Sequence, residues 1–259
     1  MKNKSYIRIG LGVLAALSLN ISNNLYGAVY VDTFSANSGA LNGRTTAAGF
    51  GAWTTSDSAF QVGNGQITIN SNDPVYHAAT FSLPTLTVSD TLTLTLTVRP
   101  SGSGFLGFGF TPNSGQYVIN NGYTWTYYEG LGAGNPNIQI FNGSGTAGAT
   151  YFATLDNPAL NFDASLPTTF QYTYSASTQR LSLSAVNGNS TSTLLNNANV
   201  SSIPLSSFSN FALQFQGQTL GSDTNPSYVD YLRVEVVPEP STFAMLLGGL
   251  GTMVLRRRR

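Results

Sequence analysis

Residues 91–98 read Thr-Leu-Thr-Leu-Thr-Leu-Thr-Val, and this stretch decides the fold. In an extended chain successive side chains point to opposite faces. Leu92, Leu94, Leu96 and Val98 therefore line one side and the threonines the other. A helix would scatter the same leucines around its axis. Threonine is β-branched and suits a strand with one wet face. Leu86 and Val88 keep the same parity, so Asp90 either sits inside a longer strand or breaks it.

The two-residue period recurs in both directions, interrupted by Gly, Asn, Asp and Pro. Ala28–Thr33 opens the series, and Gln66–Asn70 follows the turn Gly63-Asn64-Gly65. Phe105–Phe110 alternates aromatics with glycine, leaving room on one face for a close neighbour. Tyr123–Tyr128 and Asn137–Phe141 come next. Phe170–Tyr174 and Arg180–Val186 flank a turn-rich segment and form a hairpin. Phe211–Phe215 and Tyr228–Val236 close the body. About a dozen short strands with no helices between them imply an all-β, antiparallel β-sandwich rather than a parallel sheet. Their number and the glycine-rich middle strands favour a jelly roll over an immunoglobulin-like sandwich. No fixed-period repeat occurs.

Both ends differ from this body. Lys2, Lys4 and Arg8 precede the apolar run Ile9–Leu19, and a polar segment then ends in small residues at Gly27. That order predicts a signal peptide over residues 1–27, a retained N-terminal anchor being the alternative. Residues 28–236 form the sandwich domain. Residues 237–259 hold Pro238-Glu239-Pro240, an uncharged, mostly apolar run from Phe243 to Leu255, and four terminal arginines, Arg256, Arg257, Arg258 and Arg259. The prolines stiffen the tripeptide. An apolar helix ending in bare guanidinium groups suits a membrane: anionic lipid holds the arginines and they resist translocation. The run is shorter than the roughly 20 residues a spanning helix needs, so it borrows Ser241 and Thr242 and lets the arginines snorkel.

The whole chain has 11 basic and 11 acidic residues and no net charge. That balance is produced by the ends. Residues 28–236 keep only Arg44, Arg99, Arg180 and Arg233 against ten acids, a net charge of −6. Such a body is repelled by phosphate backbones, which argues against nucleic acid as a partner. With no cysteine in the chain, disulfides and thiolate metal sites are excluded.

The catalytic residues a hydrolase would need are sparse. Glu129 and Glu235 are the only glutamates of residues 28–236. No Glu-x-Asp-x-x-Glu arrangement places two carboxylates on one strand face, and Asp230 and Glu235 would point to opposite faces of a regular strand. Asp156 and Asp163 share a stretch with Asn157-Pro158 that reads as turn and cap chemistry. His77, the only histidine, has neither a second ligand nor a Gly-x-Ser-x-Gly elbow to work with, and reads as a structural residue. No cofactor or metal site is expected. Calcium on Asp156, Asn157 and Asp163, or on Asp223 and Asn225, is the one weak candidate, without an EF-hand loop to order it.

The most suggestive group is Tyr123, Trp125, Tyr127 and Tyr128. Tyr123, Trp125 and Tyr127 share one strand face, with Thr124, Thr126 and Tyr128 on the other. Aromatic faces stack on sugar C–H faces, and the amide-rich segments Asn113–Gln116 and Asn120–Gly122 would bond sugar hydroxyls. The competing reading is that one aromatic face is core between the sheets.

The tail, in its order of Pro238-Glu239-Pro240, apolar run and Arg256–Arg259, resembles the PEP-CTERM sorting signal of Gram-negative bacteria. The resemblance implies recognition of the tripeptide by exosortase, a membrane protease-transpeptidase. It also implies a transient halt in the inner membrane, cytoplasmic arginines and delivery to the cell surface or extracellular matrix. An unprocessed single-pass anchor is the alternative. The body is similar to concanavalin A-like lectin/glucanase domains. That likeness is carried by Asp32-Thr33-Phe34, Leu41-Asn42-Gly43 and Trp53, by the hairpin Phe170–Val186 with Asn187-Gly188, and by the closing strand Tyr228–Val234. Together these features describe a non-enzymatic secreted surface protein that is structural, adhesive or in contact with exopolysaccharide. A lectin-like module with a defined glycan is the second reading, and a divergent polysaccharide hydrolase the third.

Overall fold

Two antiparallel sheets face each other across an apolar core in the computed structural model. It describes residues 27–36, 38–69, 76–99, 105–114, 124–129, 137–142, 150–156, 162–163, 165–216 and 227–238. Residues 1–26 and 239–259, nearly all of the segments read as signal peptide and sorting tail, lie outside the described residues. Among the described residues no helix is long and apolar enough to cross a membrane. Residues Ala28–Val236 form one compact unit.

The strands in chain order are β1 (Ala28–Asp32), β2 (Gly39–Ala40), β3 (Thr54–Thr55), β4 (Phe60–Gly63), β5 (Gln66–Ile69), β6 (Tyr76–Ser82), β7 (Asp90–Arg99) and β8 (Phe105–Thr111). They continue with β9 (Thr124–Glu129), β10 (Asn137–Asn142), β11 (Thr150–Asp156), β12 (Thr168–Ser175), β13 (Arg180–Asn187), β14 (Ser190–Asn199), β15 (Asn210–Gln216) and β16 (Tyr228–Pro238). One 3-10 turn, Leu205–Phe208, precedes β15. The nine-stranded sheet runs β14-β13-β12-β7-β16-β5-β4-β2, with β1 also on β16, and the seven-stranded sheet runs β11-β10-β9-β8-β15-β6-β3.

The threonine–leucine stretch becomes β7, the middle of the larger sheet. Its burial alternates without a break from Asp90 to Arg99, and Leu92, Leu94, Leu96 and Val98 are all at most 1% exposed. Asp90 marks the break in the longer pattern. Its carboxylate accepts the Thr87 amide at 2.6 Å, which turns the chain and leaves Val88 70% exposed. Across the core the β7 leucines and the β12 rings Phe170, Tyr172 and Tyr174 pack with Leu106, Phe108, Phe110, Phe211, Leu213 and Phe215 of β8 and β15. Phe108 meets Phe170 at a centroid distance of 4.9 Å, and Tyr174 stacks on Phe208 at 4.1 Å. Each fully buried side chain of this size contributes roughly 2 kcal/mol.

Two turns show how the sequence sets register. Asn64 and Gly65 both have positive φ, 54° and 77°, between the paired Gly63 and Gln66. That geometry matches the twist of the flanking strands and needs residues tolerant of left-handed backbone. At the other hairpin Gly188, at φ 56°, follows Asn187. The buried Asn187 amide donates to the carbonyl of Asp163 at 3.0 Å and to the Thr168 hydroxyl at 3.0 Å, and its oxygen accepts the Asp163 amide at 2.7 Å. One side chain thereby clasps the connection entering β12 to the end of β13.

The opening motif forms a second clasp. Arg44 forks onto Asp32 through Nε at 3.1 Å and Nη2 at 3.2 Å, while Asp32 accepts the Phe34 amide at 2.6 Å and the Tyr30 hydroxyl at 2.9 Å. Trp53 Nε1 donates in turn to that hydroxyl at 3.1 Å. Phe34, Leu41 and Trp53 are at most 1% exposed. These residues thus join the segment after β1 to the core.

Candidate functional site

Two register rows cross the seven-stranded sheet, alternating with its core-facing positions. The first runs Phe141, Trp125, Gly109, Ala212, Thr80 and Thr54 across β10, β9, β8, β15, β6 and β3. The second runs Gln139, Tyr127, Gly107, Gln214 and Ala78. Ala78, Thr80, Ala212 and Gln214 are fully buried, although their inward-facing neighbours, not they, pack in the main core. Gly107 and Gly109 are buried as well. The middle of this face is a floor of small residues, covered rather than open to water.

Strand β9 carries the aromatic group read from the sequence, and the structure corrects one of its members. Tyr128 is 0% exposed and faces the core, with its ring 5.4 Å from Phe170 and its hydroxyl 2.8 Å from Thr168 Oγ1. It cannot contact a ligand on the surface. Thr126 shares that face and hydrogen-bonds the Tyr172 hydroxyl. A threonine points inward here because the opposite sheet supplies a hydroxyl partner, which removes the penalty of burying an unpaired polar atom. Burial opposes the charged form of these phenols. The Tyr128 pKa is pushed up to about 12, partly offset by the Thr168 hydrogen bond, and that of Tyr172 is also raised. Trp125 and Tyr127 hold the alternate register positions, opposite Gly109 and Gly107. Tyr123 lies outside the described residues.

Several carboxylates are engaged in structural contacts, whereas Asp230 keeps a buried Oδ1 without a hydrogen-bond partner and burial raises its pKa above the ordinary value. Asp32 pairs with Arg44, Glu235 with Arg233 at 2.7 Å, and Asp57 with His77 Nδ1 at 2.7 Å. Burial raises the Asp57 pKa, but the His77 hydrogen bond, the Ala59 amide and the Ser56 hydroxyl outweigh it and hold the acid below its ordinary value. His77 itself is buried, as a structural residue would be. Asp163 accepts Ser165 N and Oγ at 2.8 and 2.6 Å, the turn chemistry its sequence context suggests. Asp156 is the last residue of β11, not part of a loop shared with Asp163. Asn157, Asp223 and Asn225 fall outside the described residues.

β16 is not a regular strand. Val229 and Leu232 are both fully buried, so the alternation slips between them. The slip coincides with a change of partner, from β5 at Val229 to β1 at Leu232. The opposite-face argument for Asp230 and Glu235 therefore fails. Their separation along an extended strand, about 16 Å, still exceeds what a hydrolytic carboxylate pair spans. Among the described residues no three His, Cys, Asp or Glu side chains form a metal-binding group.

A family description, the PEP-CTERM protein-sorting motif, matches residues 236–259. The tail is a PEP-CTERM sorting motif. The motif implies export, membrane-anchored transit and exosortase-dependent release at the cell surface. No curated protein sequence is similar to the chain. The described body has the architecture of concanavalin A-like, legume-lectin-type sandwiches. Arcelin-5, a lectin-like defence protein from Phaseolus vulgaris, superimposes with a TM-score of 0.52 at 11% identity, covering 82% of this chain and 99% of its own. Lectin II from Ulex europaeus gives 0.50 at 8% identity, covering 81% and 98%. The CBM2 module of an evolved Dit protein from Lactobacillus casei BL23 phage J-1 gives 0.54 at 9% identity, covering 83% and 99%. At such identities the likeness concerns the fold alone.

Proposed function

We propose that residues 28–236 are a non-enzymatic surface or matrix domain that contacts neutral polysaccharide through the β8–β9 flank of the seven-stranded sheet, after sorting through the exosortase route. The observation that carries this reading is the pairing of Trp125 with Gly109 and of Tyr127 with Gly107. Two aromatic positions thus stand at the margin of the covered floor, and a stacked sugar ring would lie along β9 rather than over the buried glycines. Neither row carries a charged residue, which suits a neutral ligand.

A secreted domain of residues 28–236 is titrated with exopolysaccharide from its host and screened on a glycan array. A stacked ring that covers about 60 Å² of apolar surface contributes about 1.5 kcal/mol, or roughly tenfold in affinity. Trp125→Ala is expected to lower affinity by that factor without lowering the melting temperature. Equal affinity in the wild type and in the double variant Trp125→Ala/Tyr127→Ala rejects the contact surface. Mass spectrometry of the C-terminus from the native host tests the sorting half: processing near Pro238 supports it, and an intact Arg259 leaves a plain membrane anchor.

A further inference from the structure

Both sheets are completed from the middle. In the seven-stranded sheet β15 stands between β8 and β6, and in the nine-stranded sheet β16 stands between β7 and β5. Among the described strands these two come last in the chain. Without them β8–β11 keep their own ladder and β7 keeps β12–β14. The β3–β6 pair, the β2-β4-β5 set and β1 are then left with no sheet to join.

The joins that β15 and β16 make are also distant ones. Asn210, buried at the start of β15, accepts the Ser82 hydroxyl at 3.0 Å and donates to the Thr111 carbonyl at 3.2 Å, across 128 and 99 residues of chain. One amide thus clips β15 to both of its neighbours. Contacts so far apart in sequence form slowly. β15 brings Phe211, Leu213 and Phe215 to the core and β16 brings Val229, Leu232 and Val234, all fully buried. A domain's stability is a small difference between large terms, and the loss of six such side chains is large on that scale. It also leaves β7 and β8 as long open edges.

We propose that β15 and β16 are the closing strands of the domain, so that the sandwich forms only when residues 210–236 reach the rest of the chain. A chain is made N-terminus first, so closure comes last. The body then stays extended while a membrane channel takes it up and folds once its final strands have crossed. This export half rests on the sorting reading of the tail.

The body 28–238 is compared with the same chain ended at residue 209, by near-ultraviolet circular dichroism and denaturant titration. The longer chain is expected to unfold in one cooperative step and the shorter to lose that step altogether. A cooperative transition in the shorter chain, with native aromatic signals, overturns the proposal. A second comparison keeps the contacts and changes only their order. Val236 faces Ala28, so a short Gly/Ser joint connects Pro238 to Ala28, and new ends are opened between the exposed Ser201 and Ser202. In this permuted body β15 and β16 come first and the edge strand β14 comes last.

Full chains in the native host carry either body between residues 1–27 and 239–259. With equal denaturant midpoints for the two purified bodies, pulse-chase labelling is expected to show the permuted chain exported roughly threefold more slowly, its precursor held in the cytoplasm. Equal export of equally stable bodies overturns the export half. A permuted body that does not fold is expected to be exported like the wild type, and slow export of that unfolded body overturns it as well. A wild-type chain that is never exported removes the sorting reading, while the truncation at residue 209 still decides the closing strands.

Discussion

β7 and β9 obey the same rule with opposite sign. Both alternate threonine with bulkier residues. In β7 the threonines face outward and the leucines fill the core. In β9 Thr126 faces inward beside Tyr128, and the tryptophan takes the other register. Alternation fixes which residues share a face, but it does not say which face the second sheet will cover. The partners decide that. Tyr172 and Thr168 of β12 present hydroxyls to β9, so a polar inward face is satisfied there. On β7 the inward leucines and Val98 belong to the hydrophobic core cluster.

The largest expected effect breaks this comparison at high pH. Tyr30 and Tyr172, like Tyr128, are buried and titrate above the ordinary tyrosine value because burial penalises the phenolate. The unfolded chain ionises near pH 10, so the stability from these groups is complete below that pH and drains away as pH rises through the folded value, about 12 for Tyr128. Circular dichroism and tyrosinate absorbance are expected to change together in one cooperative transition between about pH 10 and 12. Stepwise ionisation of every tyrosine near pH 10 with the sheets intact would mean that β9 does not face the core. The opposite, smaller effect is expected in acid. Asp57 is held low mainly by His77 against its burial and Asp163 by Ser165, so their contribution disappears as pH falls below the ordinary carboxylate range.

A second break uses β7 alone. Leu94→Ala opens a cavity at a 0% exposed position and is expected to cost about 3 kcal/mol by denaturant titration. Its outward neighbour Thr95→Ala is expected to change stability by less than about 0.5 kcal/mol. Comparable losses from both would refute the partition of this strand.

The larger sheet was legible because its strands carry one chemical type per face. Leu92 to Val98, Phe170 to Tyr174 and Leu181 to Ala185 announce their inward rows directly. Other elements had no such signal. Tyr76–Ser82 is buried at every interior position, because its outward Ala78 and Thr80 lie under the covered floor, so no period-2 pattern survives there. Ser190–Asn199 reads as a polar run and is a strand only because β13 pairs with it. The β16 slip was hidden for a different reason: Asp230 and Tyr231 are unexceptional in sequence, and the irregularity comes from the exchange of β5 for β1. The sorting tail, by contrast, is local chemistry in order along the chain and needs no tertiary partner to be read.

The smallest effect discriminates the two faces of β9 most sharply. Tyr128→Phe keeps the ring beside Phe170 and removes only the hydroxyl that bonds Thr168. Thr168 retains the Asn187 amide at 3.0 Å, so no buried oxygen is orphaned and the expected loss is about 1 kcal/mol. Polysaccharide affinity should not move, because the lost group lies between the sheets. Trp125→Ala should do the reverse, weakening the polysaccharide contact while leaving the melting temperature in place. A Tyr128→Phe protein that folds normally yet binds as poorly as Trp125→Ala would show that both sides of the strand serve one site, and the distinction between a core face and a ligand face would be lost.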